Sequence, residues 1–186
     1  MLNFENVKKF HQPFTHYILE DVFDKRFFKK LKSALENEKY EEQNSDLFTF
    51  LQCDIEKSQD KTIKEFREYL HSEFIAKISE LLNIKLNRID ISAFKYRETH
   101  HLLPHDDRLA GRRIAYIFHF STLSEQEGGA FGLFETKGFT PNYISKRIYP
   151  QENTLVLMPV TRKTFHEVEE VIIGERLTVA GWLHDK

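Results

Sequence analysis

Residues 153–184 read NTLVLMPVTRKTFHEVEEVIIGERLTVAGWLH. Thr154–Met158, Thr164–Val171 and Arg176–His184 are short runs of β-branched and aliphatic residues, separated by loops with Pro or Gly. Such runs, bounded by turn residues, are strand signals. The same reading extends upstream to Ile89–Arg97, Arg112–Ser121, Ala130–Phe134 and Asn142–Ile148. The second half of the chain is therefore expected to be almost entirely β.

The first half is mixed. Thr15–Phe23 alternates loosely and reads as a strand, as does Leu47–Cys53. Asp24 can cap a helix whose apolar face is Phe27, Phe28, Leu31, Ala34 and Leu35. Glu36–Asp46 is polar and reads as a loop. Thr62 through Glu65 forms a capping box, opening a second helical region with Ile63, Phe66, Leu70, Phe74, Ile78, Leu81 and Leu82 on one face and a break near His71. Two helices followed by many short strands predict an α+β domain whose β part is a sandwich or barrel. With no repeat or linker, residues 1–186 read as one domain, a helical and mixed part at 1–87 and a β core at 88–186.

Composition narrows the class. The chain has 186 residues, a length one core can serve. Cys53 is the single cysteine, which forbids an intrachain disulfide and a cysteine zinc cage. Lys and Arg total 27 against 29 Asp and Glu, so the basic excess expected of a nucleic-acid binder is missing. Met1–Thr15 has no signal-peptide core and no run reaches membrane length, so the expected location is the cytoplasm. Nine histidines raise the question of a metal.

The best site is His105-Asp106-Asp107. On a strand, residues two apart face one side, so His105 and Asp107 would converge while Asp106 faces away. A third ligand must come from a distant strand, with His119, His166 and His184 as candidates. Two imidazoles and one carboxylate occupy one face of a metal and leave the opposite positions open, which suits non-haem Fe(II) oxygen chemistry. Arg176 follows His166 by ten residues and shares a strand face with Thr178, Ala180 and Trp182. A buried arginine needs an anion, and its planar fork fits a carboxylate. A dicarboxylate such as 2-oxoglutarate would chelate iron at one end and dock on Arg176 at the other. Taken singly these signals are weak: a lone His-x-Asp arises by chance, and a lone arginine is usually a surface charge. Their order and spacing carry the argument.

Those residues, with Gly111 through Ile117, Gly128-Gly129, Asn153 through Val156, Thr164-Phe165-His166 and Gly181 through His184, resemble the Fe(II)/2-oxoglutarate-dependent dioxygenases of the prolyl hydroxylase type. The nearer likeness is to the ribosomal-protein prolyl 3-hydroxylase group. The resemblance implies a double-stranded β-helix, or jelly roll, with flanking N-terminal helices. It implies His105, Asp107 and His166 as iron ligands, Arg176 on the distal carboxylate of 2-oxoglutarate with Thr178 beside it, and Tyr96 in contact with the co-substrate. The carboxylate of Asp107 argues against the related halogenases. Fe(II), 2-oxoglutarate and O2 are then required, with ascorbate as a supporting reductant.

Three departures stand out. Eukaryotic members carry a second, non-catalytic β-helix, and 186 residues have room for one. His119 stands where a tyrosine is common, and either contacts the co-substrate or packs. The interval from His166 to Arg176 is shorter than in the eukaryotic relatives. The expected substrate is a protein or peptide, a peptidyl proline of a ribosomal protein, with no membrane and no direct nucleic-acid contact. Glu98–Arg112 and a loop at Glu135–Arg147 would border the site, and Lys137, Lys146, Arg147, Arg162 and Lys163 would form a basic rim. A free amino acid or small metabolite is the alternative substrate. A non-catalytic, cupin-like metal-binding module is the alternative of another class.

Overall fold

The computed structural model describes residues 2–186. Met1, where the expected absence of a signal peptide begins, lies outside them. The N-terminal part holds β1 (Val7–Phe10), β2 (His16–Leu19), α1 (Lys25–Glu36), β3 (Glu41–Ser45), β4 (Phe48–Cys53), α2 (Lys61–Tyr69) and α3 (Ile75–Leu82). The rest is β5 (Arg88–Tyr96), β6 (His101–His105), β7 (Arg112–His119), β8 (Phe131–Lys137), β9 (Thr140–Ile148), β10 (Thr154–Pro159), β11 (His166–Val168) and β12 (Arg176–His184).

Side-chain alternation makes the sheet two-faced. On β7, Ile114, Tyr116 and Phe118 face the helices, while Ala115 and Ile117 face the inside of the curl. On β12, Leu177, Val179 and Leu183 face the helices, and Arg176, Thr178, Ala180 and Trp182 face inward. The sheet order is β1-β2-β10-β7-β12-β5-β4-β6-β11-β8-β9, and neighbouring strands along it pair antiparallel. One edge of β4 is divided: Leu51–Cys53 pair with β5, and Phe48-Thr49 pair with β6. The sheet bends at that division, and its two ends come together where the Lys146 ammonium of β9 lies 3.7 Å from the Phe10 ring centroid of β1. This is the jelly roll that the sequence led us to expect.

The helices cover the convex face. Asp24 caps α1 as expected, accepting from Arg26 N at 2.9 Å and Phe27 N at 3.2 Å. Phe28, Leu31 and Leu35 are buried. Phe118 meets Phe23, Phe66 and Phe74 with centroids 5.4, 5.6 and 5.5 Å apart. Each such buried phenylalanine stabilises the fold by roughly 1.5–3 kcal/mol.

Four local expectations need correction. The cap of α2 is Asp60, not Thr62: its carboxylate accepts from Thr62 N and Ile63 N at 2.7 and 3.1 Å, a stronger acceptor than a hydroxyl. The expected break near His71 is a π-turn over Leu70–Phe74 that keeps both of those residues buried and leads straight into α3. Glu41–Ser45, read within a polar loop, is a strand whose two faces are largely solvated, so no alternation marks it. Glu135–Arg147, read as a loop, is the β8–β9 hairpin, closed by Gly138 at φ +67 in a two-residue turn.

Candidate metal centre and anion pocket

The inside of the curl encloses about 290 Å³. Its walls are apolar, with Phe48, Phe50, Phe94 and Met158 among them. Two polar groups of residues, and Arg112 apart from them, interrupt this lining.

The first is His105, Asp107 and His166, whose ligand atoms all lie within 4.8 Å of one another and could hold a metal ion. His105 ends β6 and His166 begins β11, and the two are direct partners in that pair. Asp107 joins them by a different route from the one expected. The strand stops at His105, and Asp107 takes φ +59, in the left-handed region. Strand alternation therefore does not bring the carboxylate to His105; the bend after β6 does. Asp107 Oδ1 is 3.4 Å from His105 Nε2, and Oδ2 is 3.2 Å from His166 Nε2. Asp106 faces away, as expected, and binds Arg108.

Both imidazoles have fixed tautomers. Nδ1 of His105 donates to the Leu103 carbonyl at 2.9 Å, and Nδ1 of His166 donates to the Thr164 carbonyl at 3.0 Å. When the ring is neutral, each Nε2 presents a lone pair to the shared point, the arrangement that metal-binding histidines use; when protonated, it donates to Asp107 instead. Burial would raise the Asp107 pKa, but the hydrogen bonds and charges of His105 and His166 outweigh it and hold the carboxyl well below its ordinary range. At His105 burial opposes the imidazolium, and contact with Asp107 prevails and raises the pKa. At His166 burial, aided by His105, prevails and lowers it. The His105 side chain is 30% exposed and that of His166 5%, so the cluster opens on the His105 side.

The second polar group surrounds Arg176. The residue is buried, and its Nε and Nη2 find no hydrogen-bond partner among the described residues. Such an unmatched cation is costly unless an anion meets it. Tyr96 is its cross-strand partner, with the guanidinium carbon 5.2 Å from the ring centroid. Burial pushes the Tyr96 phenol up to about 12, against the pull of Arg176. Thr178 is buried on the same cavity wall. His119 pairs with Thr178 across β7 and β12, and neither ring nitrogen has a partner among the described residues. Burial, then the charge of Arg176, lowers its pKa well below the ordinary histidine value. His119 is neutral and sits by the anion pocket, outside the His105 cluster.

His184, a candidate for the third ligand, is elsewhere: it binds Asp90 at 2.7 Å and Arg88 at 2.8 Å. Glu98–Arg112 supplies the cavity residues Leu102, His105, Asp107 and Arg112, but no residue of Glu135–Arg147 lines it. The basic rim is also broken up, because Arg147 pairs with Glu169 at 2.8 Å and Lys146 lies on Phe10. Sequence reasoning placed Arg112 only within a family segment and at the end of the bordering stretch, with no role of its own; it lines the cavity beside Trp182. Its signal was there, since Trp182 shares the face of Arg176.

A jelly roll holding a two-histidine, one-carboxylate cluster and a buried arginine defines a class of oxygenase, and the comparisons agree. The model of the 2OG-Fe(II) oxygenase superfamily matches residues 91–184, and the chain belongs to that family. Among individual relatives, it is 34% identical over 180 residues to prolyl 3-hydroxylase OGFOD1 of Xenopus laevis, covering 92% of this chain and 35% of that protein. The Mus musculus protein of the same name is 33% identical over 179 residues, covering 92% and 33%. The chain thus spans about a third of the length of these curated relatives. A Pseudomonas putida prolyl-4-hydroxylase superposes with TM-score 0.77 at 15% identity, covering 92% of each chain. A Trichoplax adhaerens prolyl hydroxylase, solved with a hypoxia inducible factor peptide, gives 0.72 at 16% identity, covering 91% and 83%. Both share the fold.

Proposed function

We propose that residues 1–186 form one catalytic unit that hydroxylates a peptidyl proline, with a ribosomal protein in the cytoplasm as its target. One observation carries the reading: a cluster of metal-ligand type and a buried arginine without an anion open into one small cavity. His105, Asp107 and His166 would hold Fe(II). Arg176 would dock the far carboxylate of 2-oxoglutarate, with Tyr96, Thr178 and neutral His119 around it. With these bound, iron, 2-oxoglutarate and O2 supply the oxidation of a C–H bond, yielding succinate, CO2 and the hydroxylated product. Ascorbate supports the reaction by keeping iron ferrous.

The protein's own part is positional. The fixed tautomers hold the donors ready. The apolar wall keeps water from the reacting centre and aims one C–H bond. A cavity of about 290 Å³ admits a co-substrate and one side chain, so the remainder of a polypeptide substrate stays outside. The prolyl 3-hydroxylase relatives point to proline, and the sequence resemblance points to the ribosome.

The test is mass spectrometry of ribosomal proteins incubated with the chain, Fe(II), 2-oxoglutarate and ascorbate. A gain of one oxygen on a proline is expected, absent when 2-oxoglutarate is omitted. Succinate production accompanied by oxygenation of a free amino acid, with no modified proline, would overturn the substrate assignment.

A further inference from the structure

We propose that Arg112, stacked on Trp182, is a positioning residue that holds the Asp107 carboxylate in place; this rests on reading Asp107 as a metal ligand. Asp107 sits at φ +59, in the left-handed region that aspartate tolerates better than most residues but that a local hydrogen bond still helps to hold. Its backbone carbonyl accepts a hydrogen bond from Arg112 Nη1 at 3.3 Å. Arg112 makes no ion pair among the described residues, so this carbonyl is not competing with a carboxylate for the guanidinium.

The guanidinium is itself held. Its central carbon lies 3.3 Å from the centroid of the Trp182 ring, a face-on stack. Trp182 is set by β12, on the face that also carries Arg176. Arg112 starts β7 opposite His184, where the register with β12 shifts, so its side chain turns back over Trp182 toward the bend after β6. The chain of support runs from β12 through Trp182 and Arg112 to the Asp107 carbonyl, and from there to the carboxylate. Lysine cannot replace arginine here, because a point-like ammonium does not stack flat while donating sideways.

Trp182 is the single tryptophan, so its fluorescence reports the stack directly. Ni(II) is the probe, titrated into the metal-free chain by calorimetry and by Trp182 emission. Arg112→Met and Arg112→Lys should both weaken Ni(II) binding by about 10–100-fold, the usual effect of losing an outer partner of a ligand. Both should alter Trp182 emission while circular dichroism stays that of the parent. Trp182→Phe, which keeps an aromatic face, should fall between by calorimetry. Arg113→Met, beside it but paired with Asp185, should bind as the parent does.

Parent-like Ni(II) affinity in a folded Arg112 variant overturns the proposal, even if Tm is lower, since that marks a purely structural role. Asp107→Ala separates the two levels. If it retains parent Ni(II) affinity, the ligand reading fails. If it loses Ni(II) while Arg112→Met keeps it, only the positioning role fails.

Discussion

His105 and His166 are direct cross-strand partners, and their ring centroids lie 4.2 Å apart. Two imidazoles this close, each with Nδ1 committed to a carbonyl, turn both Nε2 atoms toward the Asp107 carboxylate. Removal of either imidazole should therefore strike metal binding before it strikes the fold. His166→Ala is expected to lower Ni(II) affinity by at least about 100-fold with strand content unchanged, read by calorimetry alongside circular dichroism. Parent-like affinity would remove His166 from the ligand set.

Arg176 supplies a separate prediction, because it is not among the metal-ligand cluster. Loss of one partner from a buried charge pair costs about 2–5 kcal/mol, which is roughly 30-fold or more in affinity. Arg176→Ala should weaken 2-oxoglutarate binding by that factor in the Ni(II)-loaded chain and leave Ni(II) binding near the parent value. A 2-oxo acid lacking the distal carboxylate should bind parent and variant alike. Equal 2-oxoglutarate affinity in the two proteins would exclude Arg176 from the anion site.

His119 couples the pocket to pH. Its ordinary value is 6.5, and burial beside Arg176 places the folded value well below that. As pH falls below 6.5 the unfolded chain takes up a proton that native His119 refuses. The stability present above that pH is then lost progressively on acidification. In the metal-free chain, urea midpoints should fall between about pH 7 and about pH 5, and His119→Gln should flatten part of that slope. His16, also lowered by burial, contributes equally to both proteins, so the difference isolates His119. Identical slopes would show that His119 does not titrate this way.

The features legible in the sequence were those with a local signal. β7 and β12 read as near-continuous apolar runs because one face packs on helices and the other on the cavity. Asp24 announces α1 because a side-chain carboxylate must meet free N–H groups. The site was legible through spacing and family resemblance, in the order His105, Asp107, His166, Arg176. What escaped were features made by the tertiary fold. β3 lacks alternation because neither face is properly buried. Asp107 lies beyond the end of β6, in a backbone conformation that residue identity does not announce. Arg112 looks like any charged residue until β12 places Trp182 beneath it. The basic rim failed for the same reason, since Glu169 and Phe10 are remote in sequence from the cations they engage.

The polarity that hides β3 from a pattern search has another consequence. Its strand partner is β4, so its other side presents unpaired backbone groups. An open edge of that kind is a template on which a second chain can add a strand. Glu41 and Glu42 are exposed along it, and charged side chains of this kind blunt an open edge as a docking template. The outermost strand of the hairpin thus guards, with charge and polarity, the edge that the curl leaves open on this side of the sheet.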